Sequence, residues 1–225
     1  LELAFSKLHA GGKFGGGGYK VSSGLHGVGS SVVNALSKWM RVYVRRGEDR
    51  VIAEFKDGGK PISPTHKFDP ANPTQIKEAE WEIDLQNWDY ESGTIVQFSP
   101  DDTIFEDTNF RKDFFIDQLR EYAYLTAGIK FELIDHRDDF TYSYYFEGGL
   151  KSFLVELNRN KTPINKHIFY VHDQVEGVEV EVAMQYNDSY AENVISFANH
   201  IKTVEGGTHL TGFRSALTRS LNQYA

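Results

Sequence analysis

Residues 11–36 place the strongest constraint on what this chain can fold into, because nine glycines lie within them. They read GGKFGGGGYKVSSGLHGVGSSVVNAL. Glycine lets the backbone turn freely and lets a ligand approach the main chain closely. The run from Gly24 to Gly29 has the spacing G-x-x-G-x-G and leads directly into a helical pattern. Because the first turn of a helix has unpaired N–H groups, this arrangement predicts a binding site for phosphate.

The helical pattern predicts a helix over about residues 30–40, with Val32, Leu36 and Trp39 on one face. A glycine run by itself is more often a flexible loop than a ligand site. The spacing here is neither the G-x-G-x-x-G of dinucleotide-binding folds nor that of the P-loop. The run alone therefore leaves both a plain loop and an anion site open.

Three other side chains in the same stretch favour a nucleotide over a plain loop. Lys13 and Lys20 provide positive charge for phosphate, and Tyr19 provides an aromatic ring for a base or ribose. The alternative for the two lysines is that they are solvated loop residues, and the alternative for the tyrosine is plain packing.

The chain has 225 residues, a net charge of −8 and no cysteine. This acidic balance argues against wrapping nucleic acid by bulk electrostatics, so a DNA contact requires a local basic patch or a partner. The absence of cysteine excludes disulfides and thiolate metal sites and fits a reducing cytosol. The sequence contains no signal peptide and no apolar run of membrane-spanning length. A cytoplasmic location and no membrane association are predicted.

The pattern of elements predicts an α+β fold. Hairpins are predicted around residues 46–49 and 136–139, with a strand at 93–99 and a helix at 110–126. A glycine pair at 148–149 marks the predicted domain boundary, giving domains 1–148 and 149–225. The second domain has a predicted helix at 150–158, strands at 168–171, 178–186 and 193–199, and a last helix capped by Thr208.

Several segments closely resemble the type II DNA topoisomerases and, more narrowly, the DNA gyrase B family within the GHKL ATPase superfamily. They are HAGGKF at 9–14, YKVSSGLHGVG at 19–29, SVVNALS at 31–37, GTIVQF at 93–98, YFEGGLKSF at 145–153, NKTPI at 160–164 and EGGTHLTGFRSALTRSLN at 205–222. The resemblance spans essentially the whole chain. It implies a GHKL (Bergerat-type) ATPase α/β sandwich that lacks its N-terminal part. The start of a transducer domain similar to ribosomal protein S5 would follow it.

The resemblance implies that ATP is the ligand and that residues of about 9–30 form an ATP lid. Thr94, otherwise an ordinary strand residue, matches a Gly-Thr pair whose hydroxyl helps to hold adenine. His26 would shape the loop and contact phosphate through its backbone. The implied ATP-binding residues are Gly12, Lys13, Tyr19, Lys20, Gly24, Leu25, His26, Gly27, Val28, Gly29, Ser30 and Thr94.

No catalytic residue and no metal ligand can be assigned within this chain. In the family, the glutamate that activates water, the asparagine that binds Mg²⁺ and the aspartate that reads adenine precede the lid, and a phosphate-binding lysine follows in the transducer. The eight histidines lack metal-ligand spacing. Because the chain does not begin with Met and stops inside a helical pattern at Tyr224-Ala225, we expect an internal fragment that is inactive alone.

The implied parent protein is an ATP-hydrolysing enzyme that couples ATP to DNA strand passage and supercoiling. Its partners would be DNA and the gyrase A subunit, and it would dimerise through the ATPase domain into a heterotetramer of two A and two B subunits. Arg214 and Arg219 are candidates for a DNA contact, against the alternative of a solvated helix face. A non-catalytic nucleotide-binding or dimerisation module and the topoisomerase IV B subunit remain the alternatives.

Overall fold

The computed structural model describes residues 1–8, 27–67, 69 and 90–225. These residues form two compact units, Leu1–Asn109 and Phe110–Ala225. The helices within them are α1 Glu2–Ser6, α2 Gly29–Ala35, α3 Lys112–Leu125, α4 Leu150–Leu157 and α5 Thr208–Tyr224. The strands are β1 Ser37–Arg46, β2 Asp49–Lys56, β3 Lys60–Pro61, β4 His66–Lys67, β5 Ser92–Pro100, β6 Phe131–Asp135, β7 Phe140–Tyr144, β8 Phe169–Val175, β9 Val178–Met184, β10 Phe197–Ala198 and β11 Ile201–Lys202.

An antiparallel sheet with the order β3-β2-β1-β5 organises the first unit, and β4 also pairs with β2. The predicted hairpin around 46–49 and the predicted strand at 93–99 are confirmed, since Arg46 pairs with Asp49 and β5 spans Ser92–Pro100. Both β2 and β5 adjoin β1, which is therefore an interior strand of the sheet.

The core of the first unit lies on both faces of this sheet. Tyr43 and Ile52, which pair with each other, are buried on one face, and Met40, Val42, Ala53 and Phe55 form a cluster on the other. The short helix α1 covers them through Leu1 and Phe5, and the rings of Phe5 and Phe55 are 6.4 Å apart. Burial of this apolar surface holds α1 against the sheet.

The predicted helix over residues 30–40 is wrong at its C-terminal end. Helix α2 ends at Ala35, and Trp39 lies on β1, opposite Lys56 and Ser99. Val32 is 41% exposed. The residues from Ser37 onward pair with two neighbouring strands, and these long-range hydrogen bonds outweigh the local helical spacing.

In the second unit, a stack of aromatic rings joins α3, the end of the β6–β7 hairpin and α4. The Tyr124 ring lies 3.8 Å from that of Phe146 and 4.9 Å from that of Phe153, both nearly parallel to it. Tyr124 is buried, and this burial raises the pKa of its hydroxyl. The predicted helix at 110–126 and the predicted hairpin around 136–139 are confirmed.

Two expectations for the second unit are wrong. Of the predicted strand at 193–199, only Phe197–Ala198 pairs, with Ile201–Lys202. The turn between them has positive φ at both Asn199 and His200, which closes a tight two-residue hairpin. Thr208 is the first residue of α5 rather than its cap, and Gly207 occupies the N-cap position without a side-chain hydrogen bond.

Side-chain amides connect the segment after α4 to the end of β9. Asn158 is buried and donates through Nδ2 to Gln185 Oε1 at 3.0 Å, and its Oδ1 accepts from Asn187 Nδ2 at 2.9 Å. Asn165 Oδ1 accepts from the Tyr186 N–H at 2.8 Å. We call these side chains the amide network.

The α+β class is confirmed by the mixture of helices with antiparallel sheets. No helix in the described part of the chain has the length and apolar character needed to cross a bilayer. The boundary between residues 148 and 149 stays a prediction.

Candidate functional site

The last part of the predicted phosphate turn is described, and its two glycines differ. Gly27 has φ of +61°, in the left-handed region that favours glycine. Val28 follows as the N-cap of α2, with φ of −115° and ψ of −13°. Gly29 begins the helix, and a Cβ placed on it would meet no atom of the described residues within 4 Å. None of the described residues therefore blocks the approach of a ligand to the backbone at Gly29.

The start of α2 offers three backbone donors. The first intrahelical hydrogen bond runs from the Val32 N–H to the Val28 carbonyl at 2.8 Å. The N–H groups of Gly29, Ser30 and Ser31 precede it and have no intrahelical acceptor. Because α2 has only seven residues, these donors rather than a long helix dipole would attract an anion.

The hydroxyl groups of the two serines are already engaged. Ser30 Oγ donates to the Ala4 carbonyl at 2.6 Å, and Ser31 Oγ donates to the Val28 carbonyl at 3.0 Å. Ser30 can therefore donate a hydrogen bond to a phosphate through its backbone N–H.

Thr94 lies on β5 directly opposite Val44 of β1. Residues opposite each other in an antiparallel pair share a face, and side chains alternate along each strand. Thr94 and Val96 therefore lie on the face that carries Val42 and the rest of the core cluster. Both are exposed, Val96 to 42%. A hydroxyl beside exposed aliphatic surface suits a flat heterocycle with a polar edge.

Val96 was missed by reasoning from the sequence, although a signal was available. It lies two positions after Thr94, and a spacing of two keeps residues of a strand on the same face. The charged pair between Arg41 and Glu54, with Nε and Oε1 3.2 Å apart, lies on the opposite face. Its charges thus point away from Thr94.

Seven predicted site residues lie outside the described residues: Gly12, Lys13, Tyr19, Lys20, Gly24, Leu25 and His26. The structure places Gly27, Val28, Gly29 and Ser30 consecutively at the start of α2, and it places Thr94 on β5 of the same compact unit. The described portion of the chain contains no group of three or more His, Cys, Asp or Glu side chains able to hold a metal ion.

Arg214 and Arg219 lie on one face of α5, along an open groove of about 560 Å³. The groove is also lined by Ser215, Thr218, Asn222 and Gln223. Arg214 Nη2 lies 3.1 Å from Glu192 Oε1, and both side chains are exposed. The groove is thus a polar surface with two guanidinium groups, one of them paired with a carboxylate.

Comparison of sequences relates the whole chain to B subunits of bacterial topoisomerases. It is 47% identical to the DNA gyrase B subunit of Clostridium acetobutylicum, 44% to that of Staphylococcus aureus and 43% to the DNA topoisomerase 4 B subunit of Enterococcus faecalis. Each match covers 100% of this chain but only 32%, 32% and 30% of those proteins. The chain therefore spans about a third of the length of the curated relatives it matches. The family model for DNA gyrase B matches residues 149–225.

Solved structures give the same relationship at the level of the fold. The 43K ATPase domain of Thermus thermophilus gyrase B, in complex with an aminocoumarin, superposes with a TM-score of 0.72 and 34% identity over 88% of this chain and 50% of that one. The ATP-binding domain of topoisomerase IV from Francisella tularensis, in complex with a small-molecule inhibitor, superposes with a TM-score of 0.70. That match covers 99% of this chain and 53% of the other, at 24% identity, and shows the fold alone.

In fold, the chain is similar to the ATPase domains of gyrase B subunits, which have the GHKL fold. In sequence, it is similar over its whole length to the B subunits of DNA gyrase and of DNA topoisomerase 4, and its residues 149–225 match the DNA gyrase B family model.

Proposed function

We propose that this chain supplies the phosphate-binding turn and one wall of the base pocket in the ATP site of a DNA gyrase B subunit. The observation that supports the proposal is the start of α2, where a left-handed Gly27 precedes three backbone N–H groups that have no intrahelical acceptor, and where none of the described residues crowds Gly29. Converging N–H groups that follow a glycine turn bind phosphate oxygens. In the whole protein, ATP binding and hydrolysis would drive the passage of one DNA duplex through another and supercoiling.

Each site residue has a role in this proposal. Lys13 and Lys20 offset the charge of the phosphates, and Tyr19 contacts the nucleotide. The backbones of Gly12, of Gly24 to His26 and of Gly27 to Ser30 surround the phosphates. Thr94 and Val96 contact the base, the first through its hydroxyl and the second through apolar surface.

Mg²⁺ accompanies ATP in the proposed function, where it would neutralise phosphate charge. The described residues do not fit a metal site, because they bring no three carboxylate or imidazole groups together. We therefore propose no Mg²⁺ ligand among the described residues. The contribution that we propose for this chain is to bind and orient the nucleotide.

The proposed partners follow from the family. The intact protein would act in the cytoplasm on DNA, with the gyrase A subunit, and would dimerise through its ATPase domain into the two-A two-B heterotetramer. The groove along α5 is the proposed DNA contact, through Arg214 and Arg219. With a net charge of −8, the chain needs such a local patch, since its overall charge repels a duplex.

A second candidate is the topoisomerase IV B subunit. It is favoured by the 43% identity to the DNA topoisomerase 4 protein of Enterococcus faecalis, which is close to the identities with gyrase B subunits. Assembly of the intact protein with either A subunit separates the two. Supercoiling of relaxed DNA supports gyrase, whereas decatenation without supercoiling supports topoisomerase IV.

Alanine substitution of Lys13 and Lys20 tests the nucleotide site. In the intact protein, each substitution should weaken a non-hydrolysable ATP analogue by about 1–3 kcal/mol, as expected for a charge-assisted contact, and should leave adenosine nearly unaffected. Isothermal titration calorimetry measures both ligands. Lys38→Ala is the matched control, because Lys38 Nζ pairs with Asp102 at 2.6 Å and should not select for phosphate. If the substitutions at Lys13 and Lys20 weakened the ATP analogue and adenosine equally, these lysines would be solvated loop residues without a phosphate contact.

A further inference from the structure

Two side chains of α2 donate hydrogen bonds to carbonyl groups of α1. Ser30 Oγ donates to the Ala4 carbonyl at 2.6 Å, and Asn34 Nδ2 donates to the Phe5 carbonyl at 2.9 Å. Both acceptors lie near the C-terminal end of a five-residue helix, where carbonyl groups lack intrahelical partners. We call this pair of bonds the clasp.

An amide such as that of Asn34 is not the side chain expected at a buried position that serves packing alone. It is 1% exposed, and in the part of the chain that is described its Oδ1 is buried without a hydrogen-bond donor. A buried unpaired acceptor costs about 1–3 kcal/mol, whereas a leucine of the same shape would avoid that cost. The position is therefore not optimised for stability alone, and its one bond to Phe5 is specific.

The surroundings of Asn34 allow it little freedom. A Cβ placed on Gly59 would lie 3.3 Å from Asn34 Nδ2, so the turn after β2 closes tightly over the amide. The Asp57 N–H donates to the Lys38 carbonyl at 3.0 Å and fixes that turn to the start of β1. The orientation of the amide is thus set from two sides, by α1 and by the turn.

Helix α2 depends on such contacts for its position. Its seven residues are too few for stability in isolation, since helices shorter than about 12 residues are marginal in water. Its apolar side chains Val32 and Val33 are 41% and 39% exposed, so packing holds it only in part. The clasp therefore contributes directly to where the first turn of α2 lies.

We infer that Ser30 in the first turn of α2 and Asn34 in its second turn are positioning residues, which hold α2 against α1 and so aim the N–H groups of Gly29, Ser30 and Ser31 at a nucleotide phosphate. This inference rests on the proposed function. In this arrangement, neither the Ser30 hydroxyl nor the Asn34 amide contacts the nucleotide. They act through the backbone that they fix, and only phosphate-bearing ligands sense that backbone.

The test compares matched variants in the intact protein. Ser30→Thr keeps the hydroxyl, whereas Ser30→Val has the same shape without it, and Asn34→Leu replaces the amide with an apolar group of equal outline. Ser37→Ala is the control, because the Ser37 hydroxyl donates to the Val33 carbonyl of α2 at 2.6 Å and not to α1. Calorimetry with adenylyl imidodiphosphate and with adenosine gives the two affinities, and thermal unfolding gives the stability.

Ser30→Val and Asn34→Leu should weaken adenylyl imidodiphosphate about 3- to 10-fold, the range expected for one lost hydrogen bond, with adenosine changed less than about twofold. Ser37→Ala should bind like the wild type, and Ser30→Thr, which keeps the hydroxyl, should recover most of the affinity that Ser30→Val loses. Asn34→Leu should lose affinity while its Tm is kept or raised, which a purely structural role would not produce.

The inference is overturned if Ser30→Val binds like Ser30→Thr, or if both ligands weaken equally. A wild-type protein that binds adenylyl imidodiphosphate no better than adenosine contradicts the proposed phosphate site itself. That result is distinct, because it appears before any variant is made.

Discussion

At the scale of single residues, the two glycines of the phosphate turn have separable roles. Gly27 suits the backbone, because its φ of +61° strains most other residues, β-branched ones above all. Gly29 begins a regular helix and no described residue crowds it, so the described part of the fold tolerates a side chain there. One glycine therefore serves the conformation of the turn, and the other serves the approach of a ligand.

Substitution by valine should separate these roles in the intact protein. Gly27→Val should lower the free energy of unfolding by about 1–3 kcal/mol, the cost of a β-branched residue in the left-handed region, and should abolish nucleotide binding. Gly29→Val should change the free energy of unfolding by less than about 1 kcal/mol but should also abolish binding, because its side chain fills the space that a phosphate needs. Urea unfolding and calorimetry measure the two effects.

Gly47→Val is the matched control, since Gly47 has φ of +58° in the β1–β2 turn. It should lose stability as Gly27→Val does and still bind nucleotide. Binding by Gly29→Val within a few-fold of the wild type would remove the phosphate turn from the site.

The sequence predicted these glycines and Thr94 through their motifs, but not the contacts that hold them. Ser30 was assigned to the nucleotide by its place in the turn, whereas its hydroxyl donates to Ala4, 26 residues away. No local sequence pattern predicts a hydrogen bond between residues so far apart in the chain, because the bond depends on how α1 packs on the sheet. The exposure of Val96 likewise follows from the pairing of β5 with β1.

At the scale of elements, the errors fall where a local pattern fits two structures. The stretch before Trp39 has helical spacing. The same residues lead into β1, however, which pairs with a strand on each side, and its pairing with β5 is irregular between Ser37 and Trp39. The turn at Asn199-His200 lacks the glycine that usually marks a two-residue hairpin. By contrast, α3 and the β6–β7 hairpin are confirmed, because their periodicities are long and uninterrupted.

An ion-pair cluster joins the β6–β7 turn to the start of α3. Arg137 donates to Asp135 through Nε at 2.8 Å and Nη2 at 2.7 Å, and to the Phe110 carbonyl through Nη1 at 2.9 Å. Lys112 pairs with both Asp138 and Asp135. The side-chain hydrogen bonds from Arg137, followed by its backbone N–H, hold the pKa of Asp135 well below its usual range.

This shift predicts acid sensitivity of the second unit. Because the pKa of Asp135 is lower in the folded than in the unfolded state, where it is about 3.9, the carboxylate stabilises the fold above that value and loses its contribution as the pH falls below it. The free energy of unfolding of the wild type should therefore decrease more steeply between about pH 5 and pH 2 than that of Asp135→Asn. Urea unfolding at a series of pH values measures the difference.

Asp139→Asn serves as the control, because it removes a carboxylate from the same turn and its φ of +53° suits asparagine. Its pH profile should follow that of the wild type. Parallel profiles for wild type and Asp135→Asn would mean that the cluster adds nothing to folding.

At the scale of the whole molecule, exposed apolar side chains gather on one face of the β8–β9 hairpin. Val171, Val175, Val178 and Val180 share this face and are 39%, 58%, 62% and 44% exposed. Asp173 lies on the same face, opposite Val180, and interrupts this surface. Exposed apolar surface on either side of it nevertheless favours association. The net charge of −8 opposes association through repulsion, which salt screens.

The 225-residue chain should therefore associate, and more strongly as salt is added. Val175→Thr with Val178→Thr should reduce the association, since both replacements keep the β-branched shape and add a hydroxyl. Sedimentation velocity at low and high salt provides the measurement. The same exchange at Val33, in the first unit and also exposed, controls for a general gain in solubility. A salt-independent monomer would contradict the prediction.

The amide network gives the segment between α4 and β8 a mechanical property that its composition conceals. The segment is rich in polar residues and has little regular structure. It is nevertheless fastened at several points, with the Thr162 N–H on Asp188 Oδ1 at 3.0 Å, the Ile164 N–H on the Tyr186 carbonyl at 2.9 Å and Asn158 buried at its start. A segment that is hydrogen-bonded at so many points has little freedom to move. A displacement of α4 is therefore transmitted to the end of β9 instead of being absorbed between them.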